Sequence, residues 1–266
     1  MAALAGVILL DKPGGISSAA AVAGVRRGLE RRTKVGHAGT LDSFATGLLL
    51  ILVGRATRVQ RFVLGLPKTY SVVARFGAVS STGDPEGEIV STGVVPAGDL
   101  SLPVGVVRQR PPAFSAVKVG GQRAYRLARQ GTSMELPERE VYVYRFEERW
   151  RSGERRAFEI ECSSGTYVRS LISDLGDAYC EELRRVRIGP FEVGEADPSR
   201  LLPLEEALAF MPSVQVSGAE ARRAAHGGAV PGSATGFLRL VDEEGLIGIA
   251  EPAGEGVLRP VVVLRG

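Results

Sequence analysis

One apolar run constrains the fold of this chain more than any other stretch. Between Gly47 and Gly54 the sequence reads Leu-Leu-Leu-Ile-Leu-Val, without a polar side chain. An apolar run of this length bounded by glycines is typical of a buried strand, and it is too short to cross a bilayer as a helix. We therefore expect a globular protein in which residues 47–53 form a buried strand.

The loop ahead of this strand carries the main candidate for chemistry. Asp42 lies there among glycines and threonines and is the only acid between Lys34 and Lys68. Nearby cations favour an ionised carboxylate, so we expect Asp42 to stay ionised and to act as a nucleophile or an anchor. The alternative is structural, because an aspartate in a Gly-Thr-Leu-Asp turn can simply cap the following segment. The flanking cations are Arg31, Arg32, Arg55, Arg58 and Arg61.

Composition indicates one large domain, alone or with a small appendage. The chain has 266 residues, 44% hydrophobic and 24% charged, which is enough for a full core. Its two cysteines, Cys162 and Cys180, predict neither a disulfide framework nor a metal cluster, and we expect Cys162 to be structural. The first residues lack the basic start of a secretory signal. We expect a cytoplasmic protein with no membrane contact, no metal and no other cofactor.

Charge is unevenly distributed along the chain. Residues 1–70 carry ten basic and three acidic side chains, whereas residues 201–266 carry five basic and eight acidic ones. A basic excess confined to the segment that holds Asp42 suits a polyanionic partner, because each neutralised phosphate releases counterions. Arginines 26, 27, 31 and 32 could contact phosphates or could simply complement a helix dipole.

Periodicity and turn residues predict alternating helices and strands up to about residue 200. Ser17 or Ser18 is expected to cap the first helix. Residues 80–87 read as a plain surface loop, and residues 94–103 as turn formers with a weak helical start. Strands are expected at 6–10, 68–76, 141–150 and 156–162, and helices at 17–32, 57–66, 122–130 and 164–175.

The character of the sequence changes from Pro203 onward. Short helices are expected at 203–210 and 217–225, followed by three strands at 237–241, 246–250 and 258–264. Acidic or glycine-rich turns separate these strands. The pattern resembles a small PUA-type RNA-binding barrel.

A series of sequence blocks, in the same order along the chain, resembles the TruB family of tRNA pseudouridine synthases. The blocks are Asp11-Lys-Pro-Gly-Gly-Ile-Ser-Ser18, Gly36-His-Ala-Gly-Thr-Leu-Asp42 with Ala45-Thr-Gly-Leu48, the strand that holds Tyr70, Gln109-Arg-Pro-Pro-Ala-Phe-Ser-Ala-Val-Lys118, Gly165-Thr-Tyr-Val-Arg169, and Leu183-Arg184-Arg185. The resemblance covers roughly residues 6–195.

The resemblance implies both a fold and an activity. The fold is α/β (α+β): a pseudouridine synthase domain at 1–202, built on a long, mostly antiparallel mixed sheet with a cleft across it, and a PUA-like module at 203–266. The activity is isomerisation of uridine to pseudouridine at position 55, in the T-loop of tRNA, after the base is flipped out of its stack. The implied partner is the T stem-loop of tRNA, and we expect a monomer of the bacterial stand-alone type.

The resemblance also assigns roles residue by residue. Asp42 corresponds to the catalytic aspartate, Arg169 to the arginine that pairs with it, and Tyr70 to an active-site tyrosine. Tyr167 and Leu183 correspond to the walls of the base pocket. Further substrate-binding positions are His37, Lys12, Gly39 and Thr40, with His37 expected to contact RNA beside the flipped nucleotide.

Structural interpretations stay open for two of these residues. A strand tyrosine such as Tyr70 often packs in a core with its hydroxyl satisfied, and His37 could be a loop histidine bound to backbone. The chain also departs from the family pattern twice. Ser43 stands where the family usually has proline, and the segment before Leu183 is about five residues shorter.

Pseudouridine formation breaks the N1–C1′ bond and joins C5 to C1′, with no net redox change. It needs a carboxylate near the reacting atoms and a group that removes the C5 proton, for which Tyr70 is the candidate. Asp42 could attack the sugar, attack the ring, or start elimination as a base. Alternative functions are a non-catalytic RNA-binding protein and a guide-RNA-dependent synthase. A nucleotide-binding enzyme is not expected, because no nucleotide-binding glycine motif occurs in the sequence.

Overall fold

The protein is described by a computed structural model that covers residues 4–112, 118–119, 122–123 and 136–265. The first half comprises β1 (Gly6–Lys12), α1 (Ser18–Arg27), β2 (Val35–His37), β3 (Thr46–Val53), a 3₁₀ helix (Gly54–Val59), α2 (Gln60–Leu64), β4 (Lys68–Phe76), β5 (Ala78–Ser80), β6 (Ile89–Ser91), β7 (Gly105–Gln109), β8 (Lys118–Val119) and β9 (Gln122–Arg123).

The second half contains most of the long strands. Its elements are β10 (Arg139–Ser152), β11 (Arg155–Cys162), α3 (Val168–Ser173), β12 (Ala178–Ile188), β13 (Phe191–Glu192), a 3₁₀ turn (Val193–Glu195), β14 (Leu202–Pro203), α4 (Leu204–Ala207), β15 (Ser213–Gln215), α5 (Gly218–Ala225), β16 (Val230–Pro231), β17 (Leu238–Asp242), β18 (Gly245–Pro252) and β19 (Val257–Val263).

One large sheet organises the first 200 residues. Its strands follow the order β14-β1-β3-β12-β4-β11-β10-β7, with β2 beside β3 and β13 beside β12. Among the described strands of this sheet, β3 and β12 run parallel and all other pairs are antiparallel. The predicted fold class, a mixed α/β protein on a mostly antiparallel sheet, is therefore confirmed.

The parallel pair places β12 against the end of the loop that carries Asp42. Arg184 and Arg185 lie opposite Thr46 and Gly47 in the ladder. Gly47 has φ +104°, and a Cβ built there would lie 2.3 Å from the carbonyl oxygen of Arg185. Only glycine permits both this conformation and this approach.

The apolar run is buried on both faces of the sheet. Leu48, Leu50 and Leu52 belong to one core cluster, whereas Leu49 and Ile51 belong to a second cluster under α1. A strand covered on both sides has no polar face, which explains why its sequence does not alternate. The predicted buried strand is confirmed.

A third core cluster lies between the sheet and α3. Val72, Phe158 and Ile160 from the sheet pack there against Leu171 and Ile172 of α3. Arg169 is a buried residue of this short helix, and several members of the cluster also line the cleft in front of Asp42.

The C-terminal region forms a five-stranded sheet in the order β15-β17-β18-β19-β16, curled as a half-barrel. This sheet packs against the N-terminal part of the chain, because Ile249 and Leu264 share a core cluster with Val59 and Val63. The boundary between residues 202 and 203 stays a prediction. In the described part of the chain no helix is both long and apolar enough to span a membrane.

Several predicted elements differ from the structure. The first helix, capped by Ser17, ends before Gly28 rather than at residue 32, since Gly28 closes its last turn. Residues 94–103 contain no helix, because the buried Arg156 binds the carbonyls of Pro96 and Gly98 in place of helical hydrogen bonds. The helix predicted at 57–66 is a 3₁₀ turn followed by α2. Of the helix predicted at 122–130, residues 122–123 are a strand and the rest lies outside the described residues.

Candidate active site

The loop between β2 and β3 is fixed at several backbone positions around Asp42. The buried Ser18 hydroxyl donates to the Leu41 carbonyl at 3.0 Å and accepts from the Leu41 amide at 2.8 Å. Lys12 donates to the Ser43 carbonyl at 3.3 Å, and the Gly15 amide donates to the same oxygen at 2.8 Å. The α1 segment and the end of β1 thus hold the loop in place.

Asp42 and the buried Asp84 share one arginine, and we call Asp42, Arg169 and Asp84 the carboxylate cluster. Arg169 Nε lies 2.9 Å from Asp42 Oδ2, and its Nη1 lies 2.7 Å from Asp84 Oδ2. Its Nη1 also donates to the Thr82 carbonyl at 2.7 Å. The side chains of Arg169 and Asp84 are 4% and 5% exposed, whereas 34% of the Asp42 side chain faces the cleft. Asp42 is thus the accessible carboxylate, and the buried Asp84 fixes the arginine that pairs with it.

Opposing effects act on the pKa of Asp42. The net result is a raised pKa: burial raises it most strongly, the Arg169 guanidinium lowers it, and the carboxylates of Asp84 and Glu86 raise it further. Arg169 is therefore the group that favours the ionised form of Asp42, the form that can attack carbon or accept a proton.

The arginines that flank Asp42 in sequence do not supply this charge. Arg55 donates to the carbonyl of Leu264 at 2.8 Å, and Arg58 donates to that of Val263 at 2.7 Å. Arg61 stacks over Phe62, 4.6 Å from its ring centroid. The expectation that Arg55, Arg58 and Arg61 neutralise Asp42 was wrong. Arg55 and Arg58 bind the C-terminal region, and Arg61 also lies 5.3 Å from the ring centroid of Phe237 in that region, whereas Arg169 is the cation that lowers the pKa of Asp42.

Asp84 is the residue that sequence reasoning missed. The stretch 80–87 was expected to be a plain surface loop, yet it folds inward and buries this carboxylate. Thr82 Oγ1 donates to Asp84 Oδ1 at 2.5 Å, and the Glu86 amide donates to the same atom at 3.0 Å. Polar turn residues give no periodic signal that would separate a buried acid from an exposed one.

A cleft of about 290 Å³ opens in front of Asp42. It brings together seven of the nine predicted site residues, although they come from four separate parts of the chain. Its lining is Gly39, Thr40, Leu41, Asp42, Leu64, Lys68, Tyr70, Arg139, Ser164, Gly165, Thr166, Tyr167, Val168, Arg169, Leu183 and Arg185.

Tyr167 forms a wall of this cleft and is held from two sides. The Gln109 side chain accepts from the Tyr167 amide at 2.6 Å and donates to its carbonyl at 3.2 Å. The Arg139 guanidinium lies 4.6 Å from the centroid of the Tyr167 ring. A ring fixed in this way offers a flat apolar surface for a nucleobase.

A second group of polar residues, Lys68, Tyr70 and Arg185, also lines the cleft, and we call it the cation cluster. Lys68 Nζ donates to the carbonyls of Leu64 and Leu66 at 2.5 and 2.6 Å. Burial, together with the nearby Arg185, lowers the pKa of Lys68 to about 8. Burial raises the pKa of Tyr70, and Arg185 acts in the opposite direction through its charge and a hydrogen bond.

His37 and Lys12 do not line the cleft. His37 ends β2, where its carbonyl accepts from Gln60 Nε2 at 2.7 Å. Lys12 is fully buried, and its ammonium also donates to the carbonyls of Pro13 and Ile16 at 2.8 and 2.9 Å. This placement favours a supporting role for Lys12 over direct contact with a substrate.

The two departures from the family pattern also have a structural context. Ser43 Oγ donates to Glu86 Oε2 at 3.0 Å, so it links the Asp42 loop to the loop of Asp84. The short segment before Leu183 is part of β12, which has a bulge between Cys180 and Glu182. Leu183 is buried and reaches the cleft from this strand.

Comparisons with known proteins agree with this geometry. Residues 26–168 match the family described as TruB family pseudouridylate synthase (N terminal domain). Residues 212–264 match the family described as Pseudouridine synthase II TruB, C-terminal. Two proteins named tRNA pseudouridine synthase B, from Mycobacterium tuberculosis H37Rv and Thermobifida fusca, are each 40% identical to this chain. The alignments cover 98% of this chain, and 96% and 99% of the relatives.

Solved structures show the same architecture. A chain in a crystal structure of a Cbf5-Nop10-Gar1 complex superposes with a TM-score of 0.70 at 25% identity, covering 98% of this chain and 84% of that one. A chain from an H/ACA RNP bound to a substrate RNA containing 2′-deoxyuridine superposes with a TM-score of 0.69 at 23% identity. At this identity the similarity shows a shared fold and nothing more.

Proposed function

The chain belongs to the TruB family of pseudouridine synthases, and we propose that it converts the uridine at position 55, in the T-loop of tRNA, with Asp42 as the catalytic carboxylate. The class of enzyme follows from the family: it is an isomerase that forms pseudouridine in tRNA. The position in tRNA and the roles of individual residues are our proposal.

The observation that carries the proposal is the pairing of Asp42 with the buried Arg169. The carboxylate lies in the cleft, 2.9 Å from a guanidinium that is itself anchored by Asp84. A fixed cation keeps a recessed carboxylate ionised and aimed, which a nucleophile or a base requires. A carboxylate that merely capped a turn would need neither the buried partner nor the second acid behind it.

The remaining residues of the cleft fit the handling of a flipped uridine. Tyr167 and Leu183 form apolar walls against which the base can stack. The N1–C1′ bond breaks, the base turns, and C5 joins C1′ with loss of the C5 proton. Tyr70, which also lines the cleft, assists that proton transfer in our proposal, and Asp42 acts by attack on the sugar, attack on the ring or elimination.

We propose that the T stem-loop binds across the catalytic sheet and that the protein acts as a monomer. The basic excess lies in residues 1–70, and Arg26 and Arg27 lie exposed in the last turn of α1. His37 lies beyond the cleft lining, where contact with RNA next to the flipped nucleotide remains our prediction.

A guide-RNA-dependent synthase is the competing function within the same fold. The similarity to the Cbf5 complex is at 25% identity, whereas the relatives named tRNA pseudouridine synthase B are 40% identical over nearly their whole length. The difference in identity favours the stand-alone enzyme.

One assay tests the proposal directly. Purified protein is incubated with an unmodified tRNA transcript, without guide RNA, metal or nucleotide, and pseudouridine is mapped by position. We expect modification at position 55 and none in a transcript with cytidine there. Product elsewhere in the tRNA would contradict the proposed site, and product only after a guide RNA is added would support the competing function.

A further inference from the structure

Arg185 is a buried cation that belongs to the Leu183-Arg184-Arg185 block but has no role in the chemistry proposed above. It is 1% exposed and is among the largest fully buried side chains of the described residues. Its Nε donates to the Leu48 carbonyl at 2.8 Å, and its Nη atoms donate to the carbonyls of Thr40 and Gly39 at 3.4 and 3.2 Å. In the described part of the chain these hydrogen-bond partners are uncharged, so this guanidinium is held by dipoles.

The three carbonyls belong to the two ends of the loop that carries Asp42. Gly39 and Thr40 precede Asp42, and Leu48 follows it in β3. The backbone of Arg185 also lies against Gly47, where a Cβ would not fit. The side chain and the backbone of Arg185 therefore fix the distance between the segment just before Asp42 and the start of β3.

The same guanidinium reaches the hydroxyl of Tyr70. Tyr70 on β4 and Arg185 on β12 are direct partners in the antiparallel ladder, so their side chains lie on one face of the sheet. Both residues line the cleft, and the Arg185 guanidinium lowers the pKa of the Tyr70 hydroxyl against the effect of burial. A cation fixed beside a phenol oxygen favours the orientation in which a lone pair faces the cation and the proton faces away.

We propose that Arg185 is a positioning residue that couples the Asp42 loop to Tyr70, so that the carboxylate and the phenol oxygen keep one mutual geometry during the reaction. The inference rests on the proposed function, in which Tyr70 assists removal of the C5 proton. An arginine suits this role better than a lysine, because its planar fork can bind several carbonyls and a hydroxyl at once.

A purely structural role would predict a different result in a double-mutant cycle. Single-turnover rates on tRNA are measured for wild type, Arg185→Lys, Tyr70→Phe and the double variant. We expect Tyr70→Phe to lose about 10²-fold or more, and Arg185→Lys to lose about 10- to 100-fold while the tRNA dissociation constant changes less than about threefold. Because Arg185 acts through Tyr70, the double variant should be about as slow as Tyr70→Phe alone.

Arg184→Lys is the matched control. Arg184 is adjacent on β12, but its partly exposed side chain pairs with Asp11 at 2.6 Å and does not line the cleft. We expect it to keep the wild-type rate. If the Arg184 and Arg185 variants lose equal amounts of single-turnover rate, the effect comes from disturbing β12 rather than from the cation cluster. That result would overturn the inference.

The pH profile gives a second readout. The titratable and charged groups facing the Tyr70 hydroxyl are Arg185 on β12, Cys162 on β11 and Asp42 on its loop. Because the Arg185 charge lowers the pKa of Tyr70, Arg185→Met should move the part of the pH–rate profile that reports deprotonation of Tyr70 to higher pH, and Arg185→Lys should move it less. If Arg185→Met does not fold, the pH profile of Arg185→Lys and the double-mutant cycle still test the proposal.

The outcomes separate this inference from the proposed function. Multiplicative losses in the cycle, or a normal rate for Arg185→Lys, would overturn the coupling while pseudouridine formation by wild type leaves the function standing. A wild-type protein that forms no pseudouridine would overturn both.

Discussion

The two clusters that line the cleft hold their arginines by opposite means. In the carboxylate cluster, Arg169 lies between Asp42 and Asp84, so that two negative charges surround one positive charge. In the cation cluster, Arg185 and Lys68 bind backbone carbonyls and carry their charges without a carboxylate in hydrogen-bond contact among the described residues. The cleft therefore has a negative and a positive group, both largely removed from water.

We infer from this difference that the two clusters contribute to different steps of the reaction. A carboxylate beside an anchored cation is suited to attack on carbon or to accepting a proton. A buried phenol keeps its proton, because burial raises the pKa of Tyr70, and the Arg185 charge partly offsets this effect. Variants that remove one cluster at a time should consequently fail in different ways.

Asp42→Asn should have the largest effect, because the amide keeps the shape of the side chain and loses the reacting group. We expect no measurable pseudouridine in single-turnover assays, with tRNA affinity within about tenfold of wild type. Filter binding with the same transcript provides the affinity. Measurable turnover would show that the carboxylate cluster is not the reacting one.

Arg169→Met should come next, since it leaves two carboxylates without their shared partner. Removing one member of a buried ion pair costs about 3–5 kcal/mol, and we expect a rate loss of roughly 10²- to 10³-fold. Arg169→Lys should lose less, because a point charge replaces a planar fork. The thermal unfolding midpoint of each variant shows whether folding is lost as well. Normal activity of the Met variant would contradict the pairing.

Asp84→Asn should weaken the reaction without removing its chemistry. Arg169 keeps Asp42 but loses its anchor, and misplacement of this kind costs up to about 10²-fold in rate. The Asp84 carboxylate raises the pKa of Asp42, so its removal lowers that pKa. The acid limb of the pH–rate profile should therefore move to lower pH. A shift to higher pH would contradict the assigned electrostatics.

Lys68→Met tests the cation cluster through stability. The pKa of Lys68 is lowered from 10.5 to about 8 in the folded state, so the unfolded chain binds more protons between these values. The free energy of unfolding of wild type should therefore rise, relative to Lys68→Met, as the pH increases from 8 to 10.5. Urea unfolding at three pH values measures this difference. Between about pH 5 and 6, where Lys68 is protonated in both the folded and the unfolded state, the same comparison is the control and should show no such rise.

The smallest effect on the reaction rate is expected outside the cleft. Replacing both Arg26 and Arg27 by Gln should reduce the slope of log affinity against log salt by less than about two, since each lost phosphate contact contributes about 0.9 or less. The rate at saturating tRNA should not change. Arg222 and Arg223, in the last turn of α5, are the matched control in a net acidic region. An equal change of slope there would contradict the proposed RNA surface.

Much of the sheet could be predicted from local pattern. The strand at 68–76 alternates, and β4 spans Lys68–Phe76 as predicted. The uniform apolar run formed a buried strand because both faces of β3 are covered. The predicted N-cap of the first helix was also confirmed at Ser17. These features depend on residues a few positions apart, so the sequence contains their cause.

The placement of charges could not be predicted in the same way. Asp42 and Arg169 were expected to meet only because a family resemblance implied it, and the roles assigned to the site residues remain predictions. Sequence neighbours were a poor guide, since Arg55 and Arg58 bind the C-terminal strands rather than Asp42.

By itself, the sequence determined the long strands other than β12, the first helix cap, the basic N-terminal segment and the family. It did not predict β12, which lies between β3 and β4 in the sheet. Tertiary structure alone decided that Asp84 lies behind Arg169 and that Arg185 holds the Asp42 loop. In a sheet, adjacent strands come from distant parts of the chain, so the partner of a charged residue depends on the path of the chain. A polar residue in a turn has no periodic pattern that records whether the fold will bury it.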